Sequence, residues 1–216
     1  ELAVSSTIQA DKSALNLPLD SDEVWETTPL HFAIAGTQIE VARWLCQAGA
    51  DVVARQDLLV DFAARRGSRD LLELLSLHGA DLSRTPVFSV LTGGAAASLL
   101  PWLCAEGLNV NCGDQYPPIV YASRGDKGEH PDWVQLLLDH GANADARDYK
   151  GRSALHVAAR AGSVGLVELL LANGADSEAR DLDGRTPWQR TPRKYRSSLS
   201  GLLDANHVPS AEGGND

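Results

Sequence analysis

The chain has 216 residues, enough to bury a substantial core as one elongated array or as one to two globular domains. Hydrophobic residues make up 44% and charged residues 22%, and the absence of any run of 18 apolar residues excludes a helical membrane span. A formal net charge of −10 argues against nucleic acid as a partner, because that binding is driven by neutralising phosphates.

Three cysteines (Cys46, Cys104, Cys112) form an odd set with no Cys-x-x-Cys or Cys/His ligand spacing. Cys46 and Cys104 occupy equivalent helical positions two structural units apart. At about 8–10 Å per packed helix layer they stand roughly 20 Å from each other, well beyond the ~7 Å Cα limit for a bridge. Buried thiols in a reducing setting, cytoplasmic or alternatively nuclear, are the expectation. The sequence contains no Met, so Glu1 does not read as a translation start; the expectation is either a processed end or a boundary inside a longer protein with further flanking domains.

In chain order, residues 1–21 carry weak helical character and end in an acidic cluster; they read as an N-terminal tail or a capping helix. Thr28-Pro29-Leu30-His31 then opens a unit that continues through Ile39–Leu45 to Gly49-Ala50-Asp51. A weaker copy has Leu58-Leu59-Val60-Asp61, the small pair Ala63-Ala64, and Gly79-Ala80-Asp81. A third keeps Thr85-Pro86-Val87 and closes on Gly107-Leu108-Asn109. A fourth aligns Pro117-Pro118-Ile119 and Ala122-Ser123, and ends at Gly141-Ala142-Asn143. The fifth is the most regular: Ser153-Ala154-Leu155-His156, Ala158-Ala159, a Leu/Val run from Val167, and Gly174-Ala175-Asp176. Thr186-Pro187-Trp188 starts a sixth.

Each part has a physical reason. Thr can cap the first N–H groups of a helix, and Pro suits the first turn because its missing donor is not needed there. The small pair lets two helices approach, and the Leu/Val run fills the seam to the next unit. The Gly ends the second helix in left-handed geometry, and Asn111 and Asn143 are expected to tolerate the same geometry in the following turns. No unit can bury its faces alone, so stacking is obligatory.

A turn, a short helix, a tight loop and a second helix recurring at about 33 residues resemble the ankyrin-repeat family, over roughly residues 22–204. The resemblance implies an all-α ankyrin-repeat solenoid of stacked helix-turn-helix units with β-hairpin or loop fingers. It would contain about five repeats and a C-terminal capping half-repeat, with 205–216 as a disordered tail. From loop Gly to the next helix start, the fingers run 12 residues for Gly141–Ser153 and for Gly174–Thr186. The others run 9 for Gly49–Leu58, 6 for Gly79–Thr85 and 10 for Gly107–Pro117. Short middle fingers between longer ones predict a notch, while the fourth unit carries extra residues at 125–132.

The histidines read as structural. In the family, the position held by His31 and His156 ties finger backbone to helix start. His78 and His140 lie near helix C-termini, where a cation is favoured. His130 and His207 have no catalytic or metal-ligand companion at a recognisable spacing. Trp44, Trp102 and Trp133 fall in second helices and are expected in the core. Fingertip positions usually contact partners in the family, and here they hold Trp25, Tyr149, Lys150, Arg152 and Arg185. The two positions after the small pair face the concave groove in the family, and they supply Arg65, Arg66, Arg124 and Arg160. Arg presents a planar fork suited to carboxylate or phosphate, and Asp61 is expected to pair with one of these residues. A further cluster, Arg190, Arg193, Lys194 and Arg196, reads as a solvated face of the cap.

No phosphate-binding loop, nucleophile elbow or metal-ligand set is present, so neither a cofactor nor a metal is expected. The leading function is a protein–protein interaction module, a scaffold that binds a partner protein or acidic segment on its concave face. The alternative is an enzyme or small-molecule site in the notch, using Asp61, Arg65, Arg66, Tyr121, Arg124 and His130. The sequence leaves the oligomeric state open.

Overall fold

The computed structural model describes residues 28–112, 116–124 and 130–203. The expectations for 1–21, Trp25, His207 and the 205–216 tail fall outside these residues, as does most of the 125–132 insertion. The chain divides into two units, Glu1–Asn109 and Val110–Asp216.

The first unit contains α1 (Pro29–Ala35), α2 (Ile39–Ala48), α3 (Gln56–Arg65), α4 (Arg69–Leu77), α5 (Val87–Thr92) and α6 (Ala96–Ala105), with a 3-10 turn at Leu82–Arg84. The second contains α7 (Pro118–Ala122), α8 (Pro131–Asp139), α9 (Ala154–Ala161), α10 (Val164–Ala172), α11 (Pro187–Arg190) and α12 (Arg196–Leu203), with a 3-10 turn at Arg193–Tyr195. Within each unit the first helix of a repeat packs on its own second helix and on the first helix of the next repeat: α1 on α2 and α3, α3 on α4 and α5, α9 on α10 and α11. The fold is all-α, with helix-turn-helix repeats stacked as the sequence pattern requires.

The core follows the apolar periodicity. Leu30, Ile34, Leu59, Leu71, Leu72 and Leu75 in the first unit, and Ile119, Leu137, Leu155 and Leu170 in the second, are almost completely buried. Each such side chain stabilises the fold by about 1.5–3 kcal/mol through removal from water. The small pairs Ala63-Ala64, Ala122-Ser123 and Ala158-Ala159 are equally buried. Gly93 shows how close the inner helices come. A Cβ there would stand 2.5 Å from the Ala64 carbonyl oxygen and 2.8 Å from that of Arg65, so the ends of α3 and α5 touch through backbone alone.

Several local expectations change. Among the described residues there are no strands; the fingers are turns, with one isolated antiparallel bridge between Arg147 and Ser153. Helix α3 starts at Gln56, two residues before Leu58. Thr85 caps no helix: its Oγ1 donates to the Leu82 carbonyl at 2.6 Å, and α5 starts at Val87 with Pro86 as its cap. The 3-10 turn uses up the six-residue finger and displaces the helix start. Trp44 is 37% exposed, and Trp102 and Trp133 are only half-buried, so the three indoles border the core instead of filling it. Cys46 is buried, but Cys104 is partly exposed and Cys112 exposed; all three are free thiols. Burial raises the pKa of Cys46 and of Cys104.

Asn111 and Asn143 are not left-handed; Thr37 is the only non-glycine with positive φ among the described residues. They act through their side chains. Asn111 Oδ1 accepts from Asn143 N at 2.8 Å, and one repeat later Asp145 Oδ1 accepts from Asp176 N at 2.9 Å. In the first unit the corresponding donor, Asp81 N, is taken by Gln56 Oε1 at 2.8 Å. The acid or amide of each Gly-Ala-Asp/Asn also folds its own finger: Asp51, Asp81, Asn143 and Asp176 each accept, through Oδ1, the N–H two residues on.

The last two fingers turn around buried carboxylates. Asp148 and Asp181, 33 positions apart, are each 5% exposed. Asp148 Oδ1 accepts the N–H groups of Lys150 and Arg152, both at 2.9 Å, and Asp181 Oδ1 those of Asp183 and Arg185, both at 3.0 Å. The second oxygens have different partners. Arg152 donates to Asp148 Oδ2 from Nε at 2.9 Å and Nη2 at 2.6 Å. The guanidinium of its sequence equivalent, Arg185, makes no ion pair with Asp181; that of Arg190, from the following helix, does so and also pairs with Asp183. Burial pushes both buried carboxyls up, but the hydrogen bonds from arginine and backbone outweigh it and hold each below the ordinary carboxylate value.

Three outcomes follow for stability. Gly93→Ala should lower it by about 1–3 kcal/mol through overpacking, read as a shifted denaturant midpoint; an unchanged midpoint would contradict the contact. Arg152→Met strands a buried charge and should cost roughly 3–5 kcal/mol, whereas Arg185→Met should stay within about 0.5 kcal/mol; equal losses would refute this division of labour. Because the Asp148 and Asp181 pKa values are depressed in the folded state, the native chain binds fewer protons than the unfolded one at low pH. Their stabilisation is therefore complete above the ordinary carboxylate pKa and lost as pH falls through the depressed values. The double variant Asp148→Asn, Asp181→Asn should be less stable at pH 7 and show a flatter acid limb in its midpoint-versus-pH curve than the parent.

Candidate functional site

The second unit contains a hollow of about 540 Å³ lined by the side of α9 that carries Arg160 and by the fifth and sixth fingers and the cap. Six cationic side chains border it: Arg124 after α7, Arg152 and Arg185 on the fingers, Arg160 on α9, Arg190 on α11 and Lys194 in the 3-10 turn. Tyr116 and Tyr195 supply aromatic walls. Tyr195 is seated by Gly162, the left-handed cap of α9 (φ +80°); a Cβ there would stand 2.4 Å from the ring. Only a glycine lets the tyrosine lie against this turn.

His156 fixes the relation between α9 and the sixth finger. Ser153 N donates to its Nδ1 at 3.2 Å, which leaves Nε2 to donate to the Arg185 carbonyl at 2.9 Å. Burial lowers its pKa, outweighing the Arg185 carbonyl contact that would raise it, so the imidazole is a neutral strut that sets the backbone from which Arg185 projects. His31 makes the same capping contact, Thr28 N to Nδ1 at 3.0 Å. Its buried Nε2 has no partner among the described residues.

The six cations are not equivalent. Arg152 is committed to Asp148, and Arg190 to Asp181 and Asp183. The hydrogen bonds that Arg190 donates to Asp181 and Asp183 raise its pKa further. Arg160 and Arg185 form no ion pair among the described residues, and both are exposed. Lys194 lies 4.4 Å above the Tyr195 ring, and Arg124 5.5 Å from the Tyr116 ring. Tyr149 meets Tyr116 edge-on at 5.2 Å, with Lys150 5.3 Å from its own ring. The contact between the two phenol groups holds Tyr116 above and Tyr149 below the ordinary phenol value.

The sequence-predicted residues thus separate. Arg124, Arg152, Arg160 and Arg185 come to one hollow, with Tyr149 and Lys150 attached to its rim through Tyr116. Arg65 and Arg66 belong to the first unit. Arg65 pairs with Asp61 at 3.0 Å, as expected for one of the arginines, and Asp61 also accepts the Ser89 hydroxyl. Arg66 is the exposed cap of α3. His130 stacks flat on Trp133 at 3.9 Å. Arg190 and Lys194, read from sequence as a solvated cap face, line the hollow instead; the signal that could have placed them is the 33-residue offset between Asp148 and Asp181. Among the described residues no group of His, Cys, Asp and Glu is arranged to hold a metal, and no helix is long and apolar enough to cross a membrane.

Comparison with known proteins bears on the whole chain. A family model described as ankyrin repeats (3 copies) matches residues 90–181, and one for a single ankyrin repeat matches 25–57. The chain is 32% identical over 148 residues to the nuclear factor NF-kappa-B p105 subunit of Gallus gallus, covering 62% of this chain and 15% of that protein. It is 32% identical over 162 residues to the B-cell lymphoma 3 protein homolog of Mus musculus, covering 65% and 34%. It is 30% identical over 131 residues to the E3 ubiquitin-protein ligase hecd-1 of Caenorhabditis elegans, covering 58% and 5%. The chain therefore spans at most about a third of the length of these curated relatives. Among solved structures it is similar to the ankyrin repeat domain of Bcl-3 (TM-score 0.73, 26% identity, 94% of this chain and 90% of that one). It is also similar in fold to the ankyrin repeat domain of human ASB11 (TM-score 0.72, 24% identity, 96% and 93%). Repeat pattern, helix pairing and relatives agree, and the chain belongs to the ankyrin-repeat family.

Proposed function

We propose that the chain is a protein-interaction module whose second unit captures an acidic segment of a partner protein. The observation that carries this reading is the hollow bordered by six cations in a protein of net charge −10. Two of those cations neutralise buried aspartates, which leaves Arg160, Arg185 and Lys194 facing outward with Arg124 beside them. Tyr116, Tyr149 and Tyr195 add rigid aromatic surface of the kind that anchors interfaces. The family and the relatives support the general class, since ankyrin repeats serve protein association; fold alone does not name a partner. A cytoplasmic location is part of the proposal, in keeping with three free cysteines.

The triple variant Arg124→Glu, Arg160→Glu, Arg185→Glu should weaken binding of a fluorescent glutamate-rich peptide at least about tenfold, a difference of ~1.4 kcal/mol. Its melting curve should remain cooperative and close to the parent's, because Arg160 and Arg185 are exposed and Arg124 is half-buried, and charges near the surface contribute little to stability. The control Arg65→Glu, Arg66→Glu should leave affinity unchanged. Unaltered binding by the triple variant, or equal loss in the control, would refute the assignment.

A further inference from the structure

The hollow differs from a basic stripe in three ways, and each bears on the kind of anion it fits. Its outward cations come from three separate elements, the end of α9, the sixth finger and the 3-10 turn of the cap, and they border a single cavity. A row of carboxylates on an extended segment would be spaced along it at about 3.3–3.6 Å per residue and would suit a linear track of charge. Several cations around one cavity suit a single group of higher charge.

The protein's own anions are also unavailable there. Both oxygens of Asp148 accept two hydrogen bonds each. Asp181 is bonded by two backbone N–H groups and by Arg190. Neither carboxylate can turn to neutralise Arg160 or Arg185 without breaking a buried network. Neutral donors complete the wall. Gln189 uses its Oε1 to accept from Thr186 N at 3.1 Å, which leaves its two amide hydrogens as donors, and the phenols of Tyr116 and Tyr195 line the same space.

We propose that the hollow binds a phosphorylated serine or threonine of the partner segment, with Arg160, Arg185 and Lys194 holding the phosphate and Gln189 donating to it. The inference rests on the reading that the second unit captures an acidic segment, and it names the residue that anchors it. A phosphoryl group carries close to two negative charges and three strong acceptor oxygens, which match two guanidinium forks and an ammonium better than a carboxylate does. The volume exceeds that of one phosphate, leaving room for the neighbouring residues of the segment against Tyr116 and Tyr195.

The test uses the full chain and three fluorescent, Asp/Glu-rich degenerate peptide pools that differ only in one fixed central residue: phosphoserine, glutamate or serine. The phosphoserine pool should bind at least about tenfold more tightly than the glutamate pool, and millimolar inorganic phosphate should weaken the phosphoserine pool selectively. The double variant Arg160→Met, Arg185→Met, shown to be folded by its melting curve, should lose that preference, binding the phosphoserine and glutamate pools equally and both more weakly than the parent does. Equal binding of the phosphoserine and glutamate pools would overturn the phosphate assignment and leave the acidic-segment reading standing. A preference that survives in the double variant would place the phosphate elsewhere and overturn the assignment as well. Failure of all three pools to bind would overturn both readings. Displacement by free inositol hexaphosphate at concentrations far below those needed of the phosphoserine pool would assign the hollow to a soluble polyphosphate and overturn the peptide source.

Discussion

The buried carboxylate at the turn of each long finger is the constraint on which the second unit depends. A finger has no strand ladder to satisfy its backbone, so its N–H groups need another acceptor, and Asp148 and Asp181 supply one from the inside of the turn. A buried carboxylate is costly unless it is paired. That cost obliges the chain to deliver an arginine to each. The identity of the arginine then decides the chemistry of the surface. In the fifth finger it is the local Arg152, and nothing is left over. In the sixth it is Arg190 from the cap, and Arg185 is released to the exterior.

The same economy of partners explains the shorter fingers of the first unit. There the finger after Gly79 is a 3-10 turn closed by Asp81 and Thr85, and the finger after Gly49 passes directly into α3. Gln56 then takes over the inter-repeat bond that Asn111 and Asp145 make in the second unit. His31 has one satisfied nitrogen among the described residues, where His156 has two. The first unit thus keeps the helix stack and gives up the projecting polar apparatus, while the second keeps both.

This contrast marks the limit of what the residues disclose by themselves. Helix pairing, the small pairs at 63–64, 122–123 and 158–159, and the capping histidines are legible because each depends on spacing within about 33 residues. The exposure of Arg160 and Arg185 is likewise legible, since their register relative to the small pair or the fingertip is local. What spacing could not show was which arginine answers which aspartate. Arg152 and Arg185 are identical by register and opposite in role, and the difference is made by Arg190, which lies outside the repeat pattern. For the same reason Lys194 reads from sequence as part of a solvated cap face. Thr85 was misplaced because a 3-10 turn and a helix cap use the same Thr-Pro.

Tyr195 against Gly162, and Lys194 beside it, have a thermodynamic consequence for residues 187–203. Elements of a protein open locally at different free energies, and part of the hollow's wall is carried by this segment. Its undocking would remove the tyrosine wall, withdraw the ammonium group and uncover Asp181 together. Any occupant of the hollow is thereby linked to the docking of the segment and strengthens it by mass action, so protection of its amides from hydrogen exchange becomes a reporter of occupancy.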